Sequence, residues 1–102
     1  MKISIITVTF NSSKTLKTTL ESVASQTFKN IEHIIVDGQS SDNTLMLLNN
    51  YPHIHKVISE KDNGIYDAMN KGINNASGDV IGFLNSDDWF YNSKIIEEIA
   101  NA

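Results

Sequence analysis

The sequence predicts an α/β fold, a parallel sheet with helices on both faces, on three observations. Apolar β-branched runs alternate with helix-period segments along the whole chain. Each run stops at a polar or glycine-containing turn. The 102 residues, 40% hydrophobic, suffice for one core and leave no room for a second domain. Right-handed crossovers between successive strands then make a parallel sheet the natural outcome.

The elements follow in order. Ile3 to Phe10 is mostly β-branched and apolar on both alternating faces, as in a strand covered on both sides. Asn11-Ser12-Ser13 offers side chains suited to capping a helix. Within Lys14 to Phe28, Leu16, Leu20, Val23 and Ala24 recur at helical spacing, while Lys14, Lys17, Thr18 and Glu21 lie mainly elsewhere on the wheel. Ile31 to Val36 forms a second strand, and the turn-rich Asp37 to Asp42 leads into a short helix around Asn43 to Asn50. Tyr51-Pro52 breaks that helix, because proline lacks an amide proton and disfavours helical geometry in the residue before it. A weaker third strand is predicted near Lys56 to Ser59. Glu60 to Gly64 then opens a helix whose stripe is Ile65, Ala68, Met69, Gly72, Ile73 and Ala76, with Asp67 and Lys71 on another face. Ser77-Gly78-Asp79 ends it. Val80 to Leu84 is the fourth strand, stopping at Asn85-Ser86-Asp87-Asp88, and a last amphipathic segment carries Ile95, Ile96, Ile99 and Ala100.

Composition excludes several functions. A net charge of -4 with eight scattered basic residues argues against a nucleic-acid partner, which needs Lys and Arg gathered on one face. The absence of cysteine removes disulfides and thiolate metal sites and fits a reducing compartment. The expected location is cytoplasmic, with membrane association of a full-length protein left open. The first apolar run is too short and too β-branched for a signal peptide or a membrane span. Neither G-x-G-x-x-G nor G-x-x-x-x-G-K-[ST] occurs, so glycine-cradled phosphate binding is not signalled.

Ligands of open parallel sheets bind beyond the carboxyl ends of the strands, where the strand order reverses. Thr9, Asn11, Asp37, Glu60, Asp62, Asp87 and Asp88 fall at such ends. Adjacent carboxylates repel unless a cation or strong donors offset the repulsion, so Asp87-Asp88 reads either as a hard-cation site or as a solvated loop with one capping Asp. Asp37 could accept from a nucleobase N–H or a ribose hydroxyl, or simply bend the chain as an Asx-turn. Asp42 is better placed as a cap or first-turn residue. Lys71 could reach a phosphate, and Asp67 one turn earlier offers it an ion pair instead. His33, His53 and His55 lack ligand-set spacing, and His53-x-His55 reads as surface loop. Trp89 and Phe90 read as core lids more readily than as sugar platforms.

In their order and spacing, four stretches resemble family 2 glycosyltransferases of the GT-A fold. They are Ile5 to Asn11, Ser22 to Phe28, Val36 to Thr44, and Asn63 to Gly72 leading to Gly78 to Asp88. The resemblance implies the Rossmann-like nucleotide-binding half of an inverting glycosyltransferase. Its donor would be a nucleoside-diphosphate-sugar, commonly a UDP-sugar, held with Mg2+ or Mn2+. Its acceptor would be a sugar or lipid-linked sugar in polysaccharide or glycoconjugate synthesis. Thr9, Phe10 and Asn11 would border the nucleoside, Asp37 the base, and Asn70 and Lys71 would also belong to the donor site. Asn85-Ser86-Asp87 takes the D-x-D place, giving Asp87 and Asp88 the metal. Three departures stand out: Asn85 replaces the first acid of D-x-D, Met69 replaces a common arginine, and Asp-Gly-Gln replaces the commoner Asp-Asp-Gly.

Members of this family usually continue well past the D-x-D loop, and the general base is expected downstream. Residues 1–102 therefore read as one domain, an N-terminal fragment of a larger catalytic domain whose uncovered apolar edge favours self-association. The alternative is a non-catalytic nucleotide-binding module or inactive truncated fragment. A phosphoacceptor receiver domain would need acids just after the first strand, where Thr9-Phe10-Asn11 has none.

Overall fold

The apolar strand at the N-terminus forms the middle of the sheet. In the computed structural model, which describes residues 1–101, β1 (Ile3–Thr9) is followed by α1 (Leu16–Ala24), β2 (Ile31–Asp37) and α2 (Thr44–Leu48). Next come β3 (Ile54–Ser59), α3 (Ile65–Asn75), β4 (Val80–Phe83) and α4 (Ile95–Ala100). The strands lie in the order β3-β2-β1-β4 and every pair is parallel. Strand order therefore reverses beside β1, between its carboxyl end and that of β4.

Alternation along the strands divides the core between two layers. Ile3 and Ile5 of β1 pack with Val23, Leu84 and Ile96, while Ile35 of β2 packs with Leu16, Leu20 and Leu48, so α1, α2 and α4 share one face. Ile6, Ile34 and Val36 point the other way and meet Ala68 of α3. Gly72 lets α3 approach closely, since a Cβ there would lie 2.5 Å from Cγ2 of Ile6. The predicted architecture, with helices on both faces, is the one observed.

Several boundaries differ from the expectation. α1 is shorter than Lys14 to Phe28, because from Gln26 onward the chain bonds outward: Thr27 N donates to Ser93 O at 2.7 Å and Phe28 packs into the core. The Asn11-Ser12-Ser13 side chains do not cap α1; the Ser12 carbonyl accepts from the amides of Thr15 and Leu16 instead. α2 stops at Leu48, where turn bonds from Asn49, Asn50 and Tyr51 to the third residue back take over. β3 begins at Ile54, paired to His33 across an irregular register, so His55 lies in a strand rather than a loop. In α3 only Ala68 and Gly72 of the predicted stripe are buried; Ile65 and Ile73 are exposed. Trp89 is 56% exposed and not a core lid, whereas Phe90 packs against the Ile3 cluster. Along the β4 edge Val80, Ile81 and Phe83 are all more than a third exposed.

His33 is fully buried. Its Nε2 lies 2.9 Å from Thr7 Oγ1 and its Nδ1 3.0 Å from His53 Nε2. Burial, helped by the nearby His53, pushes its pKa down to about 3. The folded protein thus keeps the ring neutral, while the unfolded chain takes up a proton below pH about 6.5. Stability is complete above that pH and is lost as pH falls through the interval toward 3. Between pH 7 and pH 5 the loss from His33 is expected to be about 2 kcal/mol. Urea unfolding at the two pH values checks this, and a His33→Asn variant should show a flatter profile.

Candidate functional site

The carboxyl ends of the strands bring four loops together. β1 ends at Thr9, whose hydroxyl donates to Asp37 Oδ1 at 2.7 Å. Asn11 then adopts a left-handed conformation at φ 47°, open to asparagine more readily than to most residues. This turns its side chain toward the loop after β2, where Oδ1 accepts from the amides of Ser41 (2.8 Å) and Asp42 (3.3 Å). Asn11 N donates in turn to Ser40 Oγ at 2.8 Å. Phe10, between these anchors, is 63% exposed at the rim.

Asp37 is completely buried, and its two oxygens take four donors: Thr9 Oγ1, Ser40 N, Ser40 Oγ and Ser59 Oγ. Those four fill the accepting capacity of a carboxylate. Asp37 therefore ties β1, β3 and its own loop together, and the base contact implied by the resemblance would require one hydroxyl to turn away. Gln39, also left-handed at φ 63°, carries the chain past it. The glycine at 38 has a local reason: a Cβ there would lie 2.7 Å from Asp62 Oδ2 and 3.5 Å from the Phe10 ring. A second acid at that point would face Asp62. Asp42 is not the N-cap of α2, which is Asn43 with no side-chain cap bond; it sits one residue earlier and binds the first helical residue. It accepts from Thr44 N and Thr44 Oγ1 and from Ser13 N, and these bonds, those from Thr44 foremost, hold its pKa at about 2.

Lys71 is engaged within its own neighbourhood. Its ammonium reaches Lys61 O at 3.0 Å, Asp67 Oδ2 at 3.2 Å and Glu60 Oε1 at 3.3 Å. Burial pulls its pKa down, but the two carboxylates outweigh this and the net shift is upward. With three protons and three acceptors, the ammonium has none left for a phosphate unless a partner is released. Asn70 is exposed beside it. Neither residue bonds to the loops after β1, β2 or β4 among the described residues.

The loop after β4 differs. Asn85, Asp87 and Asp88 are exposed, and among the described residues neither carboxylate of the Asp87-Asp88 pair has a hydrogen bond or ion-pair partner. The loop's backbone, by contrast, is held firmly. Ser86 O accepts from Thr15 Oγ1 at 2.8 Å and Thr19 Oγ1 at 3.0 Å, Asp88 N donates to Asn85 O at 3.0 Å, and Ser86 Oγ lies 2.9 Å from Ser12 Oγ. Further along, Phe90 N donates to Ser22 Oγ, and the Gln26 side chain binds Asn92 O and Ile96 N. Thr15, Thr19, Ser22 and Gln26 thus form a polar stripe along α1 and the turn after it, and they fasten the segment from Ser86 to Ile96. Sequence reasoning missed this stripe, although its i, i+4, i+7, i+11 spacing beside Leu16, Leu20 and Val23 was there to find.

The acid pair suits a hard divalent cation. Among the described residues no three His, Asp or Glu side chains converge, so a cation would take two protein carboxylates at most and complete its shell with water or phosphate oxygens. Mg2+ commonly binds in this way.

Comparison with known proteins is consistent with this geometry. The glycosyl transferase family 2 pattern matches residues 4–102. The chain is 40% identical over 102 residues to the glycosyltransferase Rv1514c of Mycobacterium tuberculosis, covering 98% of this chain and 39% of that protein. It is 39% identical over 100 residues to the Escherichia coli UDP-Glc:alpha-D-GlcNAc-diphosphoundecaprenol beta-1,3-glucosyltransferase WfaP, covering 95% and 39%. It therefore spans about two fifths of the length of these relatives. Among solved structures, S. aureus TarS 1-349 in complex with UDP-GlcNAc superposes with a TM-score of 0.91 at 31% identity, covering 99% of this chain and 30% of the TarS 1-349 chain. A parallel sheet in β3-β2-β1-β4 order, an acidic loop at its switch point and a match over nearly the full length agree: the chain belongs to glycosyl transferase family 2.

Proposed function

We propose that this chain binds the donor in an inverting glycosyltransferase, holding a nucleoside-diphosphate-sugar, with UDP as nucleotide, against Mg2+ or Mn2+ at Asp87 and Asp88. The observation that carries the reading is the contrast among the acids at the sheet's carboxyl edge. Asp37 takes four protein donors and Glu60 is paired with Lys71, whereas among the described residues Asp87 and Asp88 stand unpartnered beside the strand-order reversal. Carboxylates on adjacent residues repel, and a cation offsets that repulsion. A divalent ion there would neutralise charge building on a departing diphosphate.

The loops after β1 and β2 form the other wall, with the exposed Phe10, Asn11 and the Thr9–Asp37 pair bordering the nucleoside side. Asn85 lies next to the acids, while Asn70 and Lys71 join the site only if Lys71 leaves its carboxylates. The UDP-GlcNAc bound to TarS and the UDP-Glc in the name of WfaP support a UDP-sugar; the diphosphoundecaprenol in that name supports a lipid-linked acceptor. The general base is assigned to none of these residues, and the acceptor half is proposed to lie outside them. No helix among the described residues is long and apolar enough to cross a membrane.

Calorimetric titration of the chain with UDP, GDP and dTDP, each with and without Mn2+, tests the proposal. UDP should bind, and only when Mn2+ is present. If no nucleotide binds at millimolar concentration under either condition, the donor-site reading fails and a structural, non-catalytic module takes its place.

A further inference from the structure

The hydrogen bonds around the acidic loop do more than anchor it. A residue's backbone conformation is defined by the two peptide planes on either side of it. The plane between Ser86 and Asp87 is fixed through the Ser86 carbonyl, which accepts from Thr15 Oγ1 at 2.8 Å and Thr19 Oγ1 at 3.0 Å. The plane between Asp87 and Asp88 is fixed through Asp88 N, which donates to Asn85 O at 3.0 Å. The plane after Asp88 is fixed through its carbonyl, also in contact with Thr19 Oγ1. Three consecutive planes are thus held, and two of them share the single proton of one hydroxyl, a three-centre bond to Ser86 O and Asp88 O.

That hydroxyl is fully buried within the apolar face that Leu16 and Leu20 form on α1. A valine or leucine would fill such a position without a polar atom, and threonine is no better a helix former than valine. Thr19 is wholly shielded from solvent, so removing its hydroxyl would take a donor fixed on the helix away from two part-buried carbonyls. Thr15 is exposed, so solvent competes for its bond to Ser86 and it contributes the smaller part.

We propose that Thr19 is a positioning residue: its hydroxyl, seconded by Thr15, fixes the backbone of Asp87 and Asp88 so that both carboxylates are aimed before a cation arrives. The inference rests on the donor-site reading and adds to it the source of the pair's preorganisation. Removing a partner that orients metal ligands commonly weakens metal binding by about 10- to 100-fold.

The test compares Thr19→Val, which keeps the shape and loses the hydroxyl, with Thr19→Ser, which keeps the hydroxyl and loses a methyl. Mn2+ is titrated into each variant at saturating UDP, followed by the paramagnetic resonance of free Mn2+, and thermal midpoints are recorded alongside. Thr19→Val should bind Mn2+ at least about tenfold more weakly, while Thr19→Ser stays within about twofold of the parent despite its lost packing. Affinity would then follow the hydroxyl rather than stability. Equal losses in both variants, or none in Thr19→Val, would overturn the proposal. Should Thr19→Val fail to fold, Thr15→Val provides the same comparison at an exposed position, with a smaller loss expected and no loss counting against the idea. A parent chain that binds no Mn2+ with UDP defeats both this inference and the donor-site reading, whereas a parent that binds with Thr19→Val unaffected defeats this inference alone.

Discussion

Asp87→Asn is expected to weaken Mn2+ binding in the presence of UDP by at least about a hundredfold while leaving the fold intact. The size follows from the ligand count. With at most two protein carboxylates available and, among the described residues, no third His, Asp or Glu converging on them, removal of one charge takes half of the protein's contribution to the site. Losses of about 10- to 100-fold already follow when only an outer partner of a metal ligand is removed. The intact fold follows from exposure: the Asp87 side chain has no partner among the described residues, and substitutions at such surface positions usually change stability by less than about 0.5 kcal/mol. Unchanged Mn2+ affinity would remove Asp87 from the site.

The largest effect on stability is expected at Glu32, far from the acidic loop. This carboxylate is 2% exposed and accepts from Ser4 Oγ, Ser77 N and Ser77 Oγ, each at 2.8 Å, with Lys2 Nζ 3.0 Å away. It closes the amino-terminal side of the sheet by joining β1 and β2 to the turn between α3 and β4. Burial alone would raise its pKa, but the bonds from Ser77, Ser4 and Lys2 prevail and hold it at about 2. Glu32→Ala leaves those donors without an acceptor and should cost about 3–5 kcal/mol, a large part of the roughly 5–15 kcal/mol typical of a whole domain. Urea unfolding at neutral pH measures it, and a loss below about 1 kcal/mol would show the network to be solvated. The sign with pH is fixed. A carboxyl with a lowered folded pKa contributes fully above its unfolded value near 4.5, and that contribution is lost as pH falls toward 2. Glu32→Gln should therefore remove part of the acid sensitivity below pH 4.5, while the His33 contribution at higher pH stays.

Element order, parallel pairing and two-sided burial were readable because each rests on local periodicity. Ile3 to Thr9 could hardly be anything but a central strand, and the Asp87-Asp88 pair announced itself by charge alone. What could not be read depends on partners far along the chain. Thr19 and Gln26 look like interruptions of an apolar stripe until the carbonyls of Ser86 and Asn92, 67 and 66 residues away, are seen against them. Glu32 and His33, neighbours in β2 that face opposite sides of the sheet, look like polar interruptions of an apolar run; both are buried, because Ser77, Thr7 and His53 satisfy them. Asp37 and Lys71 show the converse case, in which residues suited by type to hold a ligand already have partners within the protein. Residue type identifies what a side chain can bind; whether it is free to do so is a property of the fold.

Ser12 has a consequence of its own. Its amide donates to Thr44 Oγ1 at 2.8 Å on the β2 side, and its hydroxyl meets Ser86 Oγ at 2.9 Å on the β4 side. One residue therefore acts as a keystone between the start of α2 and the loop after β4. In the proposed donor site, a ligand that stiffens one of these segments loads the other. Nucleotide and cation should then be thermodynamically linked, each tightening the other by the same factor.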